Sequence, residues 1–235
     1  MSERKPTLAI MTIQAATLFQ LDAAGRLRCV NESGAPTAPR LFVGRTTEGL
    51  VWHCRHDLPN ALVREIDTLL AAESPCAALR APLRCDEPLR ALLNAHAPIT
   101  SVWSGPAWWC PAGIAAPRPV ETTQLAAGTA MAKHYPGWAR DFANSQPCIA
   151  VLDGDDAVAA CCSSRLSPDA AEAGADTLPG YRGRGYGASA VAAWAAAVRA
   201  TGLLPLYSTD WDNVASQGVA RTLGLILYGA DLSFM

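Results

Sequence analysis

The run Arg182-Gly183-Arg184-Gly185-Tyr186-Gly187 constrains this chain more than any other stretch. Three glycines at alternate positions follow a β-like segment, and a helical pattern begins directly after them, with Val191, Trp194 and Val198 on one face. Such a loop presents several backbone N–H groups at a helix N-terminus, where the aligned peptide dipoles favour an anion. Glycine lets the backbone approach phosphate oxygens with no Cβ in the way, and Arg182 and Arg184 add cations. The group expected there is a diphosphate.

The surrounding order narrows the fold. Residues 148–152, 158–163 and 171–177 read as strands separated by turns at Asp153-Gly154-Asp155-Asp156 and Ser167-Pro168-Asp169, which predicts a three-stranded antiparallel meander. After the helix stops at Gly202, a strand is expected over 204–208, then a helix capped by Asp212-Asn213 and ended by Gly224, then terminal β segments at 225–228 and 232–234. Gly183, Gly185 and Ala188 also satisfy the dinucleotide pattern GxGxxA. That pattern needs a buried parallel strand running straight into its first glycine. Here Leu178-Pro179-Gly180-Tyr181 is a kinked approach from strands that read as antiparallel, so NAD is not expected.

Pro179-x-Tyr181-Arg182-Gly183-Arg184-Gly185, with Arg182-x-x-Gly185-x-Gly187 inside it, resembles the pyrophosphate loop of the GNAT N-acyltransferase superfamily. Asn213-x-x-Ser216 followed by Leu223-Gly224 is similar to that family's later helix, and the joint likeness covers roughly residues 146–235. The fold it implies is α/β (α+β): a mixed, mostly antiparallel sheet flanked by helices and splayed between its fourth and fifth strands, here 171–177 and 204–208. The cofactor it implies is acetyl-CoA. Backbone groups near Thr177 and Leu178 would meet pantetheine, Arg182, Gly183, Arg184, Gly185, Tyr186 and Gly187 would hold the pyrophosphate, and Asn213 and Ser216 would contact the cofactor.

The activity implied is acyl transfer to an amine by direct attack. An amine must be neutral to attack, so a carboxylate, or water held by one, removes its proton. Glu172 stands where several family members carry such a base, and it shares a strand face with Gly174 and Asp176. Many members also carry a tyrosine four residues before the glycine that ends the second helix, as proton donor to the departing thiolate. Ala220 stands there in this chain, which leaves Ser216, Tyr228 or water for the role. An acyl-CoA-binding sensor without catalysis is the alternative that Ala220 keeps open.

Charge and composition exclude other classes. A formal net charge of −2, with both signs interspersed, leaves no basic surface for nucleic acid. No acidic groove for a basic protein tail is evident, so the acceptor expected is a small-molecule amine, with an amino acid, an antibiotic or a protein N-terminus left open, as is association as a homodimer. Eight cysteines without paired spacing read as reduced thiols, and alternation along a strand separates His53 from Cys54 in His53-Cys54-Arg55-His56, so no metal is expected. Glu3-Arg4-Lys5 before an apolar stretch resembles a signal peptide, but Gln14 and Thr17 interrupt it and no cleavage pattern follows. No membrane span is expected, and the location expected is the cytoplasm.

Three prolines within residues 111–119 place the expected domain boundary, with a smaller α/β domain over 1–115 and the acyl-CoA domain over 116–235. In the first domain, hairpins are expected across Ala23-Ala24-Gly25 and 46–49, helices after Pro59 and from Asp86, and a β pair turning at Ser104-Gly105-Pro106. It carries no motif with readable chemistry, and a degenerate copy of the second domain is one reading of its β-then-α content.

Overall fold

The computed structural model describes residues 6–124 and 126–235, so Glu3-Arg4-Lys5 lies outside the described residues. The elements run α1 (Thr7–Leu18), β1 (Phe19–Leu21), β2 (Leu27–Val30), β3 (Leu41–Thr46), β4 (Leu50–Cys54), α2 (Asn60–Ala71), α3 (Asp86–His96) and β5 (Val102–Trp109). They continue with β6 (Glu121–Thr123), α4 (Ala127–Met131), α5 (Pro136–Arg140), β7 (Cys148–Asp153), β8 (Asp156–Leu166), β9 (Ala170–Thr177), α6 (Tyr186–Ala200), β10 (Leu204–Ser208), α7 (Val214–Thr222) and β11 (Ile226–Phe234). Two compact units result. The first takes the chain through Ala107 together with 209–212 and 227–235, and the second takes 108–208 and 213–226.

In the first unit the hairpins β1–β2 and β3–β4 form as expected, and β11 pairs antiparallel with β3 from Gly229↔Thr46 to Phe234↔Leu41. Leu62, Ile66 and Leu70 of α2 and Leu89 and Leu93 of α3 pack on Leu41, Val43 and Phe234, which is the 3.6-residue periodicity put to use. The β pair expected to turn at Gly105 is instead one straight strand. Gly105 serves a close backbone approach, since a Cβ there would strike the Thr209 carbonyl. The apolar N-terminal stretch is helix α1, whose Ile10, Met11 and Ala15 are buried in this unit's core. No helix among the described residues is long and apolar enough to cross a membrane.

The second unit is a mixed sheet in the order β10-β9-β8-β7-β6. Its pairs are antiparallel except β9 with β10, which run parallel. Helix α6 covers one face through Ala188, Val191, Trp194 and Val198, and α4 with its following turn covers the other through Ala127, Met131 and Tyr135. Strands buried on both faces explain the alanine-rich sequence of β8 and β9, because side chains there meet a helix above and below. The buried Trp194 indole donates to Ser163 Oγ at 3.1 Å. Between β6 and β7 the chain forms the two short helices α4 and α5, with Pro136 opening the second.

The thiol reading needs one correction. Cys148 and Cys162 face each other across β7 and β8 and are joined as a disulfide. Fourteen residues of sequence separation hid a direct cross-strand pair.

Candidate active site

Parallel pairing between β9 and β10 covers three positions and ends at Leu206↔Glu172. Beyond it the two strands part, and a cavity of about 620 Å³ opens, lined by Ala175 to Thr177 of β9, the glycine loop, Tyr207 of β10 and one side of α7 from Ala215 to Thr222. The splay implied by the family resemblance is therefore present where the strands 171–177 and 204–208 had been expected to separate.

The loop has the form an anion needs. Gly183 and Gly185 take left-handed φ of 72° and 84°, which costs a glycine nothing and a side-chain-bearing residue about 1–2 kcal/mol. Gly185 precedes the first turn of α6, whose N–H groups have no preceding helical carbonyl. Gly187 lies against Thr177, where an added Cβ would come within 2.7 Å of Thr177 Oγ1. Arg182 donates through Nε to the Thr177 carbonyl at 2.9 Å and stands 3.6 Å from Asp176, so it braces the loop on the end of β9.

Of the residues expected to hold a cofactor, Thr177, Arg182, Gly183, Gly185, Tyr186, Gly187, Asn213 and Ser216 all line the cavity. Leu178 and Arg184 do not. The Leu178 N–H is committed to the Val158 carbonyl, and the Leu178 carbonyl accepts from the Tyr181 N–H. The Arg184 guanidinium lies over the Tyr181 ring at 6.0 Å. Asn213 has a structural duty as well, because its Oδ1 caps α7 by accepting from the Ser216 N–H at 3.0 Å.

Glu172 sits where the strands part. It is 1% exposed, Ser208 Oγ donates to its Oε1 at 2.6 Å, and its Oε2 is buried with no hydrogen-bond partner among the described residues. Burial pushes its carboxyl up to about 6, against the opposing pull of the Ser208 hydrogen bond and the Arg165 charge. A carboxylate tuned near neutrality with one free oxygen can take a proton at physiological pH.

Tyr228 is a different case. It belongs to the first unit, is 2% exposed, and its hydroxyl donates to Gln14 Oε1, which gives this side chain a core role there. Ala220 is buried among Trp194, Tyr207 and Leu223. The residue missed from the sequence is Tyr207, which is 3% exposed, lines the cavity and donates to the Ser216 carbonyl at 3.4 Å. Burial raises its phenol to about 12, so it stays protonated at neutral pH. A tyrosine in an apolar strand looks like core, and no local pattern marks it out.

Together these features define a strand-parted cleft walled by a glycine loop at a helix N-terminus, with a buried carboxyl raised to about 6 where the strands part. The sequence pattern of the GNAT acetyltransferase domain matches residues 88–226, more than half of the chain, and the chain belongs to that family. Similar solved structures include a putative GNAT acetyltransferase from Novosphingobium aromaticivorans, 20% identical over 58% of this chain and 65% of that one with a TM-score of 0.46. A GNAT-family acetyltransferase from Colwellia psychrerythraea is 16% identical over 82% and 80% of the two chains, with a TM-score of 0.48. A GCN5-related N-acetyltransferase-like protein from Streptococcus suis is 14% identical over 88% and 87%, with a TM-score of 0.48. The chain thus spans just under two thirds of the first of these. No curated protein matches it.

Proposed function

We propose that this protein transfers an acetyl or related acyl group from acyl-CoA to a small-molecule amine, by direct attack with both substrates bound. The observation that carries this reading is the cavity walled by the glycine loop that opens where β9 and β10 part, past the last paired position at Glu172. The residues fit coenzyme A: glycines clear space at the helix N-terminus, Arg182 adds positive charge, and the parted strands leave an opening of about 620 Å³. Acyl-CoA supplies an activated acyl group on a good leaving thiol. The chain supplies the rest. Glu172 accepts the amine proton directly or through water, and Tyr207, whose hydroxyl donates to the Ser216 carbonyl at 3.4 Å, turns that O–H to hydrogen-bond a developing thiolate.

Two measurements test this. Coenzyme A should raise the melting temperature while NAD does not, since only a ligand preferring the native state stabilises it. Thiol release from acetyl-CoA should appear with at least one member of an amine panel; binding without release from any amine would favour a sensor instead. Tyr207→Phe should lower kcat by about 10-fold to 100-fold and leave the coenzyme A Kd within about 2-fold, the scale of losing one donor at a developing charge. An unchanged kcat would return Tyr207 to the core.

A further inference from the structure

The proline-rich stretch that reads as a linker packs onto the phosphate loop. Arg118 Nη1 donates to the Arg184 carbonyl at 3.1 Å, and its guanidinium lies 4.3 Å from the centre of the Tyr186 ring. The Arg118 carbonyl accepts from Ser189 Oγ at 3.4 Å. An added Cβ on Gly185 would touch Pro117 Cγ at 3.4 Å and Arg118 Cδ at 3.6 Å. Three contacts therefore tie one short segment to the loop and to the first turn of α6. Pro119 restricts Arg118 to extended backbone, and Pro117 stiffens the residue before it, so the segment arrives with little conformational freedom left to lose.

These contacts have a consequence inside the cavity. In a trans peptide the carbonyl and the N–H point in opposite directions. A carbonyl of Arg184 drawn toward Arg118 therefore turns the N–H of Gly185 the other way. Gly185 lines the cavity, and its left-handed backbone presents that N–H together with the unsatisfied amides of the first turn of α6.

We propose that Pro117-Arg118-Pro119 is a positioning strap of the cofactor site, in which Arg118 holds the Arg184–Gly185 peptide in the orientation that offers the Gly185 N–H to a diphosphate. This rests on the coenzyme A reading. Arg118 acts through the loop backbone and needs no contact with the ligand itself. Both of its contacts to the loop use the planar guanidinium, through a directed N–H and a face stacked on Tyr186, and an ammonium reproduces neither geometry.

The test is calorimetric titration of coenzyme A into the unaltered protein, Arg118→Met and Arg118→Lys, with melting curves of each in the absence of ligand. The expected result is a Kd raised about 10-fold in Arg118→Met, the scale of one lost directed contact, and raised nearly as far in Arg118→Lys. Melting temperatures without ligand should stay close to that of the unaltered protein. In 15N spectra the Gly185 amide should shift on addition of coenzyme A in the unaltered protein and much less in Arg118→Met. Full recovery of affinity in Arg118→Lys would show that Arg118 contributes only charge and overturn the strap. Unaltered affinity in both variants, or a fall in melting temperature with Kd unchanged, would overturn it equally. If the unaltered protein binds no coenzyme A, the cofactor reading fails first and the strap falls with it, an outcome distinct from those three.

Discussion

Glu172→Gln is expected to lower kcat by about 10²-fold or more while leaving the Kd for coenzyme A unchanged, because the amide can hydrogen-bond but cannot take a proton. The substitution is close to isosteric, and Ser208 can still donate to the remaining Oε1. The pH profile sharpens the test. With the carboxyl raised to about 6, kcat/KM of the unaltered enzyme should climb with pH through an apparent pKa near 6, and Glu172→Gln should lack that limb. A variant that keeps normal turnover would make Glu172 structural. One that lowers the whole profile without changing its shape would lead to the same conclusion.

The same residue ties activity to stability with an opposite sign. A carboxyl whose folded value lies at about 6 against a usual 4.5 disfavours ionisation in the fold. Its contribution to stability is complete below about pH 4.5 and is lost as pH rises through about 6, a difference of about 2 kcal/mol. The fold is thus less stable where the base works. Measured against Glu172→Gln, the unaltered protein should lose about 1.5 kcal/mol of stability between pH 4.5 and pH 6.5. Parallel stability curves for the two proteins would contradict the assigned ionisation.

Gly185→Val should weaken coenzyme A binding by at least about 100-fold. The position has a φ of 84°, where a β-branched residue is strained, and its Cβ would lie in van der Waals contact with Pro117 and Arg118, so the loop must move to relieve the backbone. Moving it displaces the amides that a diphosphate uses. A control separates strain from site. Gly202 has a φ of 86° and nothing within 4 Å of an added Cβ, so Gly202→Val carries the backbone penalty at the far end of α6 with no loop to disturb. It should lower the melting temperature by a few degrees and leave the Kd unchanged. Comparable loss of affinity in both variants would mean that general destabilisation, not the loop, governs binding.

What could be read from the sequence is what is local. The glycine loop, the capped helix after Asn213, the hairpins and the helices after Pro59 and Asp86 all rest on residues within a few positions of one another. Gly105, Arg118 and Tyr207 were misread or missed because their roles depend on distant partners: Thr209 for the glycine, Arg184 and Tyr186 for the arginine, and Ser216 for the tyrosine. The terminal segments 225–228 and 232–234 fuse into one strand for the same reason. Pairing with residues 41–46 decides where that strand runs, and most of it joins the first unit rather than the 116–235 domain expected for it. Glu172 lies between these cases. Its strand face is readable from alternation, but its burial and its free oxygen are properties of the folded site.

The parting of β9 and β10 after Glu172 leaves a seam between two neighbouring strands. Peptide groups that would ordinarily close across it have no strand to meet, which is the condition proteins usually confine to their margins and guard with charge or proline. Under the coenzyme A reading, the two amide linkages of the donor's arm complete the seam as a surrogate strand, so amide spacing along the donor matters as much as its phosphates. It follows that the empty protein opens more readily along this line than the loaded one. Backbone amides of 173–177 should gain protection from hydrogen exchange when donor is present, and proteolysis there should slow. In a cell, the lifetime of this protein would then follow the supply of its acyl donor.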